Sequence, residues 1–166
     1  MSGTLASPRD LFLQLLAQML WIERTLAFEV LPELHRQVRS ESLAEAVEQH
    51  LEQTHGHVAT VETAFRTLGA EPASARSAAV AGLKEEHEEL AGKISDPRLA
   101  DLFHAGAAIA TEHAELAGYE QLLELARALG RTDLEQALEQ NRADEEETLR
   151  RLQALAAALR EDLGGS

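Results

Sequence analysis

Four long segments of the chain repeat leucine and alanine at the spacing of one helix face, and residues that start or stop helices bound each segment. β-branched residues are sparse and no alternating apolar pattern persists, so no strand is predicted. The chain is therefore predicted to be all-α. The predicted helices span about 8–37, 42–68, 97–129 and 132–161, with a shorter helix at 77–93.

The predicted helix boundaries rest on capping residues, prolines and glycines. Gly69 and Gly130 are predicted to end the second and fourth of the five helices, because glycine readily adopts the left-handed conformation that follows a helix. Pro32 predicts a kink in the last turns of the first helix. The residues predicted to cap the starts of the four long helices are Ser7, Ser42, Asp96 and Thr132.

The connections between the helices indicate a particular bundle topology. The first two long helices are joined by a short connection, as are the last two, whereas the link between the pairs is long and partly helical. Such a crossover favours a ferritin-like four-helix bundle over a simple up-and-down bundle. The 166 residues are predicted to form a single ferritin-like domain, 1–166, with the short extra helix in the crossover.

Charge and composition exclude several classes of function. The formal net charge of −14 disfavours binding to nucleic acid and to anionic membrane surfaces. The chain contains no cysteine, so disulfides and thiolate metal sites are excluded. Neither a run of eighteen or more apolar residues nor a signal-peptide pattern is present. A cytoplasmic protein that does not contact membranes is therefore expected.

Polar side chains interrupt the apolar face of each long helix near its middle. In the first helix Glu23 stands where a leucine is expected, and in the last helix Glu145 occupies a core position. In the second helix, His50 and His57 lie at the edge of the apolar face. The polar residues predicted to point inward on that helix are His50, Gln53, Thr54 and His57.

The third long helix carries Glu112 on its apolar face. His113 is predicted to flank this face on one side and Tyr119 on the other, while Glu115 is predicted to lie further round the helix. By the same count, Glu52 and His55 fall outside the apolar face of the second helix. Their Glu-x-x-His spacing is common in helical metal sites, yet the face count predicts that both are solvated.

Carboxylates that meet in a dry core repel one another, and burying each costs several kcal/mol unless it is paired or coordinated. Arg24 and Arg142 are near in sequence but are predicted to point elsewhere. Carboxylate and imidazole ligands without sulfur favour one or two ions of iron, with manganese or zinc as alternatives. Individually, Glu23 is also compatible with a dimer interface, and His50 with an ordinary core histidine.

Five stretches of the chain form a recognisable set, namely "WIERTL", "HLEQTHGHVATVETAF", "AGLKEEHEEL", "TEHAELAGY" and "RADEEETLRRL". Together they resemble the YciE/YciF family of ferritin-like bacterial stress proteins. The resemblance implies a homodimer and a rubrerythrin-type di-metal centre. The metal ligands that it implies are Glu23, His57, Glu112 with Glu115 nearby, and Glu145.

The chain departs from this family pattern at two acidic positions, which are Gln53 and Leu149 here. A centre with one ion, a centre with two ions and a remnant site therefore all stay open.

The sequence leaves two main hypotheses for function. The first is a metal-dependent oxidoreductase, similar to a ferroxidase or peroxidase, in which bound iron reacts with dioxygen or peroxide and Tyr119 is a nearby electron donor. The second is a structural or stress-response dimer whose polar core is a remnant, with carboxylates neutralised by protons or by hydrogen bonds from Gln53, His50 and His113. Storage of iron in a ferritin-like cage is a weaker third hypothesis.

Overall fold

The computed structural model describes residues 4–165, which form helices and short connections without a strand in that range. The helix predicted at 8–37 comprises two α-helices separated by a π-helical turn. The other four helices lie within a few residues of their predicted positions. The elements are α1 (Pro8–Thr25), the π-helical turn (Leu26–Val30), α2 (Leu31–Gln37), α3 (Glu41–Thr67), α4 (Ala78–Ala91), α5 (Pro97–Ala128) and α6 (Thr132–Gly164).

The helices pack as the predicted ferritin-like four-helix bundle. Helices α1 and α6 each contact both α3 and α5, so the four helices enclose one core. Helix α4, in the crossover between α3 and α5, packs on the outside of α5. The core is filled by large side chains from all four helices, including Phe12, Leu20, Phe65, Tyr119, Leu122 and Leu138.

Several predicted helix ends are confirmed. The Ser7 side chain accepts a hydrogen bond from the Asp10 backbone N–H (3.1 Å), and Asp96 accepts one from the Arg98 backbone N–H (2.9 Å). Gly69 and Gly130 follow α3 and α5 with φ of 66° and 65°. The left-handed conformation of these residues ends each helix, and a residue with a Cβ would be strained in it, which explains why glycine occupies both positions.

Two of the predicted caps are wrong. Ser40 rather than Ser42 caps α3, and its Oγ accepts a hydrogen bond from the Leu43 backbone N–H (3.3 Å). Thr132 is the first residue of α6 and Arg131 precedes it, without a side-chain cap. Serine and threonine suit both the cap and the first turn, so spacing by itself did not determine where each helix begins.

The irregularity expected near Pro32 takes the form of the π-helical turn just before it. The Leu31 backbone N–H donates to the Leu26 carbonyl, five residues back instead of four. Pro32 then lies in the first turn of α2. The turn follows Glu23 by one helical turn of chain, and π-helical turns frequently occur at functional sites.

A carboxylate from α5 holds the start of α3. The buried side chain of Asp101 accepts hydrogen bonds from the backbone N–H groups of Arg39 (2.9 Å) and Ser40 (2.7 Å). These two N–H groups precede the first turn of α3, where a helix terminus favours negative charge. Asp101 was not identified from the sequence, because its partners lie about sixty positions away.

We expect Asp101→Ala to lower the free energy of unfolding by about 2 kcal/mol, because two partly buried N–H groups lose a charged acceptor. Urea denaturation followed by circular dichroism measures the change. The matched control is Asp162→Ala, since Asp162 is exposed near the end of α6 and its loss should cost less than about 0.5 kcal/mol. Equal effects of the two substitutions would contradict this role for Asp101.

The helical stretch Pro8–Gln37 is long and apolar enough, by composition, to cross a membrane. However, 56% of its most apolar window is buried inside the bundle. The core helix of a bundle has the same composition as a membrane span, since both bury apolar side chains. The expectation that the protein does not contact membranes stays a prediction.

Candidate metal centre

Six acidic and imidazole side chains from all four bundle helices meet in the core, and none is more than 4% exposed. Helix α1 contributes one of them, α3 two, α5 two and α6 one. They are the six residues singled out in the sequence, namely Glu23, His50, His57, Glu112, Glu115 and Glu145. The structure therefore brings together every candidate ligand in a single cluster.

The first group of side chains is formed by His50, Glu112, Glu115 and Glu145. Each offers one ligand atom, and the four atoms all lie within 4.8 Å of one another. His50 Nε2 is 3.0 Å from Glu112 Oε1, and His50 Nδ1 is 3.7 Å from Glu145 Oε2. Four ligand atoms this close together can surround one metal ion, and we call this set the first metal group.

The second group is formed by Glu23, His57 and Glu145, with ligand atoms that also lie within 4.8 Å of one another. His57 Nδ1 is 2.8 Å from Glu145 Oε1 and 3.6 Å from Glu23 Oε2. We call this set the second metal group. Glu145 belongs to both groups, so its carboxylate lies where it can bridge two ions.

Helical spacing explains how these side chains share one face. His50 and His57 are seven residues apart on α3, which returns the side chain to the same face after two turns. Glu112 and Glu115 are three residues apart on α5, and both point inward. The predicted position of Glu115 further round the helix is wrong, because the inward face of α5 passes between Glu112 and Glu115.

The same rotation of α5 places His113 on the exposed surface, whereas it was predicted to flank the core. The remnant-site hypothesis includes a hydrogen bond from His113 to the buried carboxylates. The exposed position of His113 is incompatible with that hydrogen bond. Gln53, on α3, is only half-buried, and its Oε1 accepts a hydrogen bond from Thr148 Oγ1 (3.3 Å).

The Glu52 and His55 side chains are both exposed, as the face count predicts. His55 lies beside the ring of Phe28, with 5.4 Å between ring centroids, and takes no part in the buried cluster. The Glu-x-x-His spacing in this helix therefore does not mark the candidate centre.

Two residues outside the second metal group hold its ligands through hydrogen-bond contacts, Tyr119 at Glu23 and Asp144 at His57. The Tyr119 hydroxyl donates a hydrogen bond to Glu23 Oε1 and accepts one from Asn141 Nδ2 (3.0 Å). On the other side, His57 Nε2 lies 3.2 Å from Asp144 Oδ2. A carboxylate behind a histidine fixes the ring so that its other nitrogen faces the metal position. Asp144 is thus a supporting residue that the sequence did not reveal.

The arginines nearest in sequence to the ligands are engaged elsewhere. Arg24 forms an ion pair with Glu62 at 2.7 Å. Arg142 pairs with Glu139 at 2.6 Å and with Glu146 at 3.4 Å. The only cationic side chain that the described contacts place against the cluster is a protonated histidine. Four carboxylates therefore face, within the protein, at most two imidazolium groups.

Burial and mutual repulsion favour protonation of the carboxylates. Burial, together with the charges of Glu145, Glu112 and Glu23, raises the pKa of Glu115 well above its ordinary value. Burial raises the pKa of Glu112 to about 8. The pKa values of Glu23 and Glu145 are also raised, again chiefly by burial. In the metal-free protein, the cluster therefore retains protons that exposed carboxylates lose well below neutral pH.

The pKa values of the two histidines are shifted in opposite directions. Burial lowers the pKa of His50, so its ring is neutral and keeps a lone pair for a metal ion. Burial also opposes the charged form of His57, but the carboxylates of Glu145 and Glu23 outweigh it and raise the pKa to about 11. The metal-free second group thus contains an internal cation, whereas the first group contains none.

Eight buried nitrogen and oxygen atoms of the cluster have no well-aligned hydrogen bond among the described residues, although His57 Nδ1 and Glu145 Oε1 form an ion pair at 2.8 Å. Unpaired buried polar atoms are rare in folded proteins and each costs about 1–3 kcal/mol. Coordination by a cation satisfies such atoms, so the residues present fit a metal centre. The atoms are Glu23 Oε2, His50 Nδ1, His57 Nδ1, Glu112 Oε2, both carboxylate oxygens of Glu115 and both of Glu145.

The fold and the cluster define a class, namely a ferritin-like four-helix-bundle protein with a buried histidine and carboxylate site that can hold a metal ion. The chain belongs to the family described as "Domain of unknown function (DUF892)", whose profile matches residues 7–162. It is 29% identical to YciF of Escherichia coli strain K12 over 148 residues, which cover 89% of each chain. The resemblance to the YciE/YciF family is thereby confirmed.

Solved structures give the same relationship. The chain superposes on YcfI from Rhodopseudomonas palustris with a TM-score of 0.89, at 29% identity and covering 92% of this chain and 97% of YcfI. It superposes on the E. coli stress protein YciF with a TM-score of 0.88, at 28% identity and covering 93% and 98% of the two chains. A Xanthomonas campestris protein at 20% identity, with a TM-score of 0.73, shares the fold.

Proposed function

We propose that this protein binds two divalent transition-metal ions, foremost iron, one at each metal group, with Glu145 shared between them. The observation that carries the proposal is the convergence of six buried ligand side chains in the core, where eight polar atoms lack a well-aligned hydrogen bond. Two divalent ions would offset the charge of four carboxylates and give the unpartnered atoms ligands. The number of ligands differs, with four in the first group and three in the second.

The ligand types narrow the choice of metal. Imidazole disfavours calcium and magnesium, which prefer oxygen ligands, and the absence of sulfur disfavours copper(I). Iron, manganese and zinc remain, and two such ions among carboxylates in a four-helix bundle is a recurring arrangement. Bound iron would supply one-electron chemistry toward an oxidant such as dioxygen or a peroxide.

The residues around the ions have supporting roles in this proposal. Asp144 orients His57, and the hydrogen bond from Tyr119 orients Glu23. A metal ion held by Glu23, His57 and Glu145 would need the lone pair of His57 Nδ1, so His57 would bind it as a neutral ring. Tyr119 contacts two members of the second metal group, since it donates a hydrogen bond to Glu23 and its ring centroid lies 6.4 Å from that of His57; this position suits an electron donor.

Elemental analysis tests the proposal directly. Protein purified without chelators, or loaded with Fe(II) under anaerobic conditions, should contain about two ions per chain. Glu115→Ala should lose the ion of the first group and retain about one, because Glu115 is absent from the second group. The matched control is Glu120→Ala, on the exposed side of the same helix. Absence of iron, manganese and zinc after loading would refute the proposal.

A structural role, with the polar core as a remnant site, is the second candidate function. The protonated His57 ring favours it. His57, between Glu23 and Glu145, can neutralise part of the cluster without a metal. YcfI is described as a candidate structural protein and YciF as a stress protein, which are the kinds of role that this alternative extends to the present chain. The same elemental analysis separates the two candidates, since a structural protein whose polar core is a remnant site binds no stoichiometric metal.

The proposal includes a homodimer in the cytoplasm with a part in the bacterial stress response. Dimerisation rests on the family resemblance, and light scattering of the purified protein would test it by giving twice the mass of one chain. The cytoplasm suits a chain without cysteine, because oxidising compartments favour disulfides.

A further inference from the structure

A cavity between α4 and the four-helix bundle reaches the first metal group. Its wall includes His50 and Glu112, two members of that group. The cavity offers ≈ 40 Å³ to the centre of a water-sized molecule, where a single water needs roughly 10–15 Å³. It therefore has room for a ligand of a few heavy atoms beside the metal position, and we call it the inner cavity.

Most of the inner cavity wall is apolar. The π-helical turn contributes Leu26 and Val30, α4 contributes Val80 and Leu83, and α5 contributes Ala108. The polar members of the wall are His50, Lys84, His87, His104, Thr111 and Glu112. An ion that leaves its hydration shell against the apolar part of the wall is not compensated there, so charged molecules are disfavoured in that part. Small uncharged molecules lose much less hydration free energy when they enter.

A larger pocket of ≈ 630 Å³ lies outside the inner cavity and opens to solvent. The two share one wall, to which Val30, Leu34, Lys84, His87 and His104 belong. In that wall, His87 Nε2 lies 2.8 Å from His104 Nδ1, within hydrogen-bond distance. A pair of histidines that the metal groups do not use thus separates the inner cavity from the surface.

The His87–His104 pair joins the crossover helix to the bundle. His87 is on α4 and is half-buried, while His104 is on α5 and is buried. The His87 ring also stacks on Phe103, with 5.5 Å between centroids and 15° between planes. Within the described residues, α4 packs mainly on α5, and Lys84 of α4 also lies 3.5 Å from Glu29 of the π-helical turn. A shift of α4 that separates the two histidines would therefore leave the four metal-binding helices in place.

We propose that the inner cavity binds a small uncharged ligand next to the first metal group, and that the His87–His104 pair closes its outer end. The inference rests on the proposed function for the metal, but the cavity exists without it. The ligand class is a weakly polar molecule of a few heavy atoms, such as a diatomic gas. It would approach the metal pair from the His50 side, and His87 and His104 would act as positioning residues rather than ligands.

Xenon tests the cavity in metal-free protein. Crystals of the chelator-treated protein held under xenon pressure should contain xenon between Leu26, Val80 and Ala108, since enclosed apolar cavities bind xenon. Ala108→Phe fills this space and should abolish that xenon site. The matched control is Ala110→Phe, which adds the same ring to an exposed position two residues along α5. Wild-type crystals without xenon in the cavity would overturn the proposal, whether or not the variants fold.

Nitric oxide tests the route in Fe(II)-loaded protein. We expect Ala108→Phe to slow nitric oxide association in stopped-flow absorbance by about tenfold, with unchanged iron content. Ala110→Phe should match the wild type, and His87→Ala should bind nitric oxide faster because the outer end is open. Nitric oxide association in Ala108→Phe at the wild-type rate would overturn the proposed route. Failure to load iron would instead contradict the proposed function, leaving the xenon result to decide on the cavity.

Discussion

Glu145→Ala is expected to remove metal binding at both groups, the largest effect of any single substitution in the centre. Glu145 is the only residue shared by the two groups within the described chain, and its oxygens approach His57 at 2.8 Å and His50 at 3.7 Å. Supporting residues behind metal ligands are worth about 10–100-fold in affinity, so loss of a bridging ligand should cost more than about 100-fold at each position. Isothermal titration with Mn(II) measures both affinities.

Neighbouring substitutions make this prediction specific. Glu23→Ala should remove the second ion and retain the first, because Glu23 belongs to the second group only. Glu147→Ala alters an exposed carboxylate two residues along α6 and should bind both ions as the wild type does. Circular dichroism confirms that each variant is folded before titration. If Glu145→Ala bound two ions with wild-type affinity, the shared-ligand arrangement would be wrong.

Metal-free protein is expected to lose stability as the pH rises from 6.5 to 9, and metal ions should reverse this loss. The folded-state pKa of Glu112, about 8, is raised above its unfolded value. Its favourable contribution is therefore fully present below the unfolded pKa and is lost as pH rises through about 8. His57, raised to about 11, acts in the same direction. Each extra proton held by the folded state costs about 1.4 kcal/mol per pH unit.

The burial that lowers the pKa of His50 acts in the opposite direction, but only near and below its ordinary value of 6.5. Between pH 6.5 and 9, the unfolded chain has ionised glutamates, while the folded cluster still retains protons. Urea denaturation of chelator-treated protein at several pH values measures the slope. Glu112→Gln should flatten it, since the amide does not titrate. A flat or rising wild-type profile would show that the cluster is not protonated in this way.

Mn(II) should raise the stability of the wild type more at pH 8.5 than at pH 6.5, because metal ions compete with protons for the same atoms. A free metal concentration 100 times the dissociation constant adds about 2.7 kcal/mol. The same addition should change Glu145→Ala little. Stabilisation of that variant by the full wild-type amount would locate the metal elsewhere.

The sequence by itself determined the helices and most of the inward polar residues, because helical periodicity is a local property. Counting 100° per residue put Glu23, His57, Glu112 and Glu145 on inward faces without any knowledge of their partners. The same count separated these residues from Glu52 and His55, which the structure leaves exposed.

Only the tertiary structure decided how these side chains combine. Glu115 was misplaced because the inward face of α5 is set by its neighbours α1 and α6, and no local pattern encodes that rotation. The hydrogen bonds that Asp101 accepts from Arg39 and Ser40, just before α3, likewise join residues far apart in the chain. The sharing of Glu145 between two metal groups is a matter of distances between helices, which depend on how the core packs and not on the spacing of residues within any one helix.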